Sequence, residues 1–164
     1  MSEAQWLNVI VSAIKEKDHD AAVALRKKEH RAEVLLARAP IFWRTFGDFL
    51  KKFIEEMKTE FGDDVTAGEL SFRIDPAQSV IHIDKTAFPF VTFSAAPKFD
   101  GQPNAVTYSV FNPEKPCDQG NVTPPSMPSR FEVVGEDVEL HLNGRSHKDA
   151  EGAARFIIEK LFTV

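Results

Sequence analysis

Six residues that could do chemistry fall at alternating positions of two short strand pairs. Arg73 and His82 belong to the first, and Arg130, Glu132, Glu139 and His141 to the second. Arginine grips carboxylates and phosphates through paired hydrogen bonds, and histidine exchanges protons near neutral pH. Gathered on one sheet face, these side chains would suit an acidic or polar small molecule, or acid–base catalysis. The plainer reading is a solvated face, because antiparallel sheets commonly leave one side wet. His82 and His141 also supply half of a metal site, which Asp84 or Glu139 would have to complete. No tight ligand spacing such as Cys-x-x-Cys or His-Glu-x-x-His accompanies them, so neither a metal nor another cofactor is expected. Asp18-His19-Asp20 reads as a polar bend or helix cap.

Covalent catalysis has less to stand on. The single cysteine, Cys117, is followed by Asp118, whose charge raises a thiol pKa and so suppresses the thiolate. The chain has no Gly-x-Ser-x-Gly elbow, no Gly-x-Gly-x-x-Gly fingerprint and no P-loop. The paired carboxylates Asp63-Asp64 and Glu136-Asp137 lie at a helix end and in a turn, where acids are common. No catalytic residue is assigned.

Aromatic usage is skewed, with 14 phenylalanines against one tyrosine, Tyr108. Phenylalanine has no polar handle, so most of these rings need dry surroundings. In Phe88-Pro89-Phe90-Val91-Thr92-Phe93, Phe88 and Phe90 share one strand face, and Val91 and Phe93 the other. A strand apolar on both sides must be covered on both. Pro89 lacks a ladder donor and favours an edge or a bulge, and an apolar edge invites a second chain. Phe88, Phe90, Phe93 and Tyr108 are therefore the candidates for a homodimer interface, or for lining an apolar small-molecule site.

These residues need positioning by three blocks of structure. Residues 1–62 read as helical. Ser2 and Gln5 have capping-box spacing, and Trp6, Leu7, Ile10, Ala13 and Ile14 repeat at helical steps. Asp18 or Asp20 could cap a second helix reaching residue 38. Pro40 then suits the first turn of another, whose apolar series from Phe42 to Phe61 ends at Gly62. Residues 63–145 read as antiparallel strands: 70–74, 80–84, 88–94, 105–111, 130–134 and 138–142. If Asp75-Pro76-Ala77-Gln78 forms the first turn, Phe72 faces Ile81 and Ser71 faces His82. Residues 112–128 carry five prolines and read as a long loop, the kind that often gates or binds. Residues 146–164 read as a closing helix capped by Ser146, with Asp149 at its third position.

The whole is expected as one domain, residues 1–164. Its class is α+β: an antiparallel sheet of five to six strands, with N-terminal helices and one C-terminal helix packed mainly on one face. The element order of the last hundred residues is similar to that of helix-grip ligand-binding domains. The chain departs from them by lacking a strand ahead of its first helices and by its short last helix, and the resemblance implies no functional residue.

Net charge is −5. Residues 1–60 hold 11 basic and 10 acidic side chains, and residues 61–164 hold 9 and 15. Nothing here is a footprint for nucleic acid or an anionic membrane, and no apolar run is long enough to span a bilayer. The stretch Arg26–Arg31 is basic but mixed with Glu29 and Glu33, as on a solvated helix. A lone cysteine and no secretory leader point to the cytoplasm. Three functions stay in play: a non-catalytic interaction domain that self-associates, a small-molecule domain with an apolar pocket between sheet and long helix, and an enzyme on the polar sheet face. Apolar residues left exposed on helix 2–38 would favour the first.

Overall fold

The structure is a computed structural model and describes residues 2–61, 70–86, 91–99, 106–111 and 128–163, with residues 107–111 described as strand only. The chain divides into two units, Met1–Glu33 and Val34–Val164. Helix α1, Glu3–Phe61, includes residues of both.

In the first unit the capping box forms as its spacing predicts. The Ser2 amide donates to Gln5 Oε1 at 2.9 Å, and the Gln5 amide donates to Ser2 Oγ at 3.3 Å. The helix then runs unbroken through Lys15–Asp20, so neither Asp18 nor Asp20 caps a new one. No glycine or proline falls in residues 3–33, and nothing there halts propagation.

Within the second unit Pro40 lies inside α1 and does not start a helix. Proline removes the bond to the carbonyl of Leu36. The surrounding turns are held by packing, since Leu35, Ala39, Phe42, Trp43, Phe46, Leu50 and Ile54 are all buried. Their three- and four-residue steps put one continuous apolar stripe into the core. Gly47 sits on the same stripe, where a Cβ would stand 3.4 Å from Ile81 Cδ1, so helix and sheet come close there.

Among the described residues seven strands follow, in two antiparallel sheets. Strands β1 (Leu70–Ile74), β2 (Ile81–Lys85), β3 (Val91–Pro97) and β4 (Val106–Phe111) pair in chain order. Strands β5 (Ser129–Val134), β6 (Asp137–Leu142) and β7 (Arg145–His147) make the second sheet, also in chain order. The expected single sheet of five to six strands is thus replaced by four strands and three. Two-residue turns at Gly135-Glu136 and Asn143-Gly144 enforce pairing within the second sheet. Residues 112–128, between β4 and β5, carry five prolines, and β4 and β5 fall in different sheets. The element order shared with helix-grip domains therefore does not extend to one continuous sheet.

The first hairpin is offset from its expected register. Phe72 faces Ile83 and Arg73 faces His82, because the loop is six residues long and not four. The Asp75 amide donates to the Val80 carbonyl at 2.9 Å, and Asp75 Oδ1 accepts from the Ala77 amide at 2.8 Å. Ser79 takes a left-handed φ of 55° to close it. The slip is two residues, so every side chain keeps its expected face.

Helix α2, Ala150–Phe162, begins at Asp149, whose Oδ1 accepts from the Gly152 amide at 2.6 Å. Ser146 lies in β7 and caps nothing. Asn143 and Gly144, both left-handed at φ 50° and 81°, form the two-residue turn that adds β7. Ala150, Ala153, Ala154, Phe156, Ile157 and Leu161 bury the apolar stripe of α2. One core joins this stripe to that of α1, to Leu70, Ile83 and Phe93 of the first sheet, and to Phe131, Leu140 and Leu142 of the second.

Candidate functional site

The polar residues expected on one face divide between the two sheets. Arg73 and His82 are a cross-strand pair of β1 and β2, with Ser94 of β3 opposite His82 on its other side. Arg73 is exposed and His82 half-buried. Arg130, Glu132, Glu139 and His141 gather on β5 and β6. Arg130 Nη2 lies 3.2 Å from Glu132 Oε2, and His141 Nε2 lies 3.3 Å and 3.4 Å from the Glu132 and Glu139 carboxylates. Glu132 and Glu139 stand directly opposite each other, a repulsive placement that Arg130 offsets at Glu132. This cluster therefore has an internal structural job. Among the described residues no three histidine, cysteine or acidic side chains could hold a metal ion.

The aromatic candidates fare differently. Phe88 and Phe90 lie outside the described residues, and so does the side chain of Tyr108, whose backbone pairs with Ala95. Phe93 is 1% exposed and part of the core, so it is no interface residue. Strand β3 pairs with β2 on one side and β4 on the other and is not an edge. Its described residues also alternate: Val91, Phe93 and Ala95 are buried, Thr92 is exposed, and Ser94 and Ala96 are half-buried. The wet face of β3 follows from Thr92 and Ser94, which the run of aromatics masks in the sequence.

The space between α1 and the sheets is closely filled where it is described. Phe42 meets Phe131 edge-on at 5.7 Å, and the Trp43 indole donates to the Ser79 carbonyl at 2.7 Å. A cleft of about 270 Å³ occurs elsewhere, lined by Asn143, Arg145, Phe156, Glu159, Lys160 and Thr163. Arg145 and Lys160 each stand 5.6 Å from the Phe156 ring, and His147 packs on it at 5.1 Å. Burial holds the His147 pKa below the usual histidine value, with nearby Arg145 adding to that shift; Asp149 opposes it. Its Nε2 is shielded and has no hydrogen-bond partner among the described residues. This pocket mixes cations with Glu159 and has one apolar wall.

The surface that stands out lies in the first unit. Trp6, Leu7, Val9, Ile10, Val11, Ile14 and Leu25 are each 41–58% exposed. Every described residue of 2–33 is exposed except Val23, which is half-buried. Seven large apolar side chains on about eight turns of helix, none of them in a core, form a patch of the kind that marks an interaction site. Residues 3–33 carry six basic and six acidic side chains, a net charge of zero. Among the described residues no helix is long and apolar enough to cross a membrane. The spacing of Trp6, Leu7, Ile10 and Ile14 is legible in the sequence, but their exposure is not.

Comparison with known protein families, with curated proteins and with solved structures gives no match.

Proposed function

We propose that this protein is a non-catalytic interaction domain that self-associates, and that it does so through the apolar stripe of α1 within residues 3–33. The observation that carries the reading is the exposure of Trp6, Leu7, Ile10 and Ile14 on a helix with no core of its own. In proteins a helix draws most of its stability from packing an amphipathic face, and this segment has no such packing in the single chain. Covering the stripe with a second helix supplies that packing. The two competing readings draw less support. Close contact of α1 with Ile81, Ser79 and Phe131 leaves no room for a ligand at those points, and Arg73 and His82 lie in a different sheet from Arg130 and His141. A cytoplasmic setting belongs to the same proposal, and the lone Cys117 fits a reducing compartment.

Native mass spectrometry of the full chain tests the reading. The expected result is a dimer without added mass at micromolar concentration. A monomer at concentrations well above micromolar refutes it, and a monomer carrying a discrete adduct lost on denaturation would support the small-molecule reading in its place.

A further inference from the structure

The stripe on residues 3–33 has a charge pattern of its own, and that pattern selects a partner. Along its centre Leu7, Ile14 and Ala21 alternate with Ile10 and Ala24 at steps of four and three, the spacing of a paired-helix seam. The same steps place Glu3, Lys17 and Lys28 on the seam, and all eight side chains are exposed. We infer that this segment pairs with the same segment of a second copy of the chain, antiparallel, with Leu7 opposite the partner's Ala24 and Glu3 opposite the partner's Lys28. The inference rests on the self-association proposed above.

Charge decides the direction. A parallel pair in register would set Glu3 against Glu3, Lys17 against Lys17 and Lys28 against Lys28, so that every charged layer repels. Turning one helix about the point between Lys15 and Glu16 removes all three clashes. Glu3 and Lys28 then meet twice, once at each end. Lys17 falls opposite the partner's Ile14, where its stem can follow apolar surface while the ammonium reaches water. Size agrees with charge, because Leu7 meets Ala24 and Ile10 meets Ala21, a large side chain against a small one in each layer. Trp6 comes to the flank beside the partner's Lys27, within reach of a cation–π contact. The overlap covers residues 3–28, about 39 Å of helix at 1.5 Å per residue. The zero net charge of residues 3–33 argues against the other occupants of such a face, anionic lipid or nucleic acid, which select a basic one.

Cysteine cross-linking on the full chain tests both direction and register. In a Cys117→Ser background, Leu7→Cys and Ala24→Cys are made singly and together and mildly oxidised. Positions 7 and 24 of one helix are about 25 Å apart, so no disulfide can close within a chain. The expected result is a covalent dimer from the double variant, and from a mixture of the two singles, with neither single cross-linking alone. Single variants that cross-link as well as the double one would show a parallel pair; that overturns this inference and leaves self-association standing. A dimeric mass with no cross-link in any variant also overturns only the antiparallel register. A monomeric mass for the parent chain overturns both. Charge reversal gives a readout free of disulfide chemistry: Glu3→Lys raises the dimer dissociation constant at least about fivefold, and adding Lys28→Glu restores it. Failure of the double reversal to restore it, with helix content unchanged by circular dichroism, would overturn the Glu3–Lys28 pairing.

Discussion

Ile10→Ala perturbs the proposed interface with the least damage to the helix that bears it. Ile10 is 41% exposed in the single chain. Fully burying an isoleucine side chain stabilises by about 1.5–3 kcal/mol, so covering the exposed two-fifths contributes about 0.6–1.2 kcal/mol per copy. A symmetric pair contains the residue twice, which makes the loss roughly 1–2.5 kcal/mol of association free energy. At 1.4 kcal/mol per decade the dissociation constant should rise from about fivefold to several tens of fold. Alanine is also the better helix former, so helix content should hold or increase. Sedimentation equilibrium across a concentration series reads the constant, and circular dichroism checks the helix. Ser12→Ala, on the opposite side of the helix from Ile10, serves as the control and should leave association unchanged. An unchanged constant for Ile10→Ala would refute the claim that this stripe is the contact surface. Equal weakening by Ser12→Ala would show that the effect is not confined to one face.

The second unit gives further expectations that do not depend on association. Trp43→Phe deletes the indole donor and leaves the Ser79 carbonyl unpaired, so urea unfolding should show a loss of about 2–4 kcal/mol from the orphaned acceptor and the lost ring volume. Asp149→Ala removes the α2 cap and should cost about 1 kcal/mol in the same assay, whereas Ser146→Ala should cost little. His147 has a native pKa below its unfolded value of 6.5, so its neutral form contributes stability that is present above that value and lost as pH falls through the lowered native pKa. Wild type should therefore lose more stability between pH 7 and pH 5 than His147→Gln, as measured by thermal unfolding at each pH. Parallel pH profiles for the two proteins would show that His147 is not a source of the dependence.

What the residues determined by themselves was local. Ser2 and Gln5 set the first cap, because their partners lie three residues apart and need no other part of the chain. The apolar steps from Phe42 to Ile54 and the alternation in β1 and β2 likewise assigned faces correctly, even where the hairpin register slipped by two. Asn143-Gly144 was a legible hairpin signal for β7, but a strand of three residues offers too little alternation to expose it. Tertiary structure decided the rest. Pro40 reads as a helix start, yet packing of Leu35, Ala39, Phe42 and Trp43 carries the helix through it. Phe93 reads as an interface residue, yet it is a core residue because its face of β3 packs into the hydrophobic core. The division into two sheets separated Arg73 and His82 from Arg130 and His141, and no local pattern encodes which strand groups pair. The apolar spacing of Trp6, Leu7, Ile10 and Ile14 was present in the sequence, but whether such a stripe faces a core or water depends on every other element, and only the folded chain leaves it exposed.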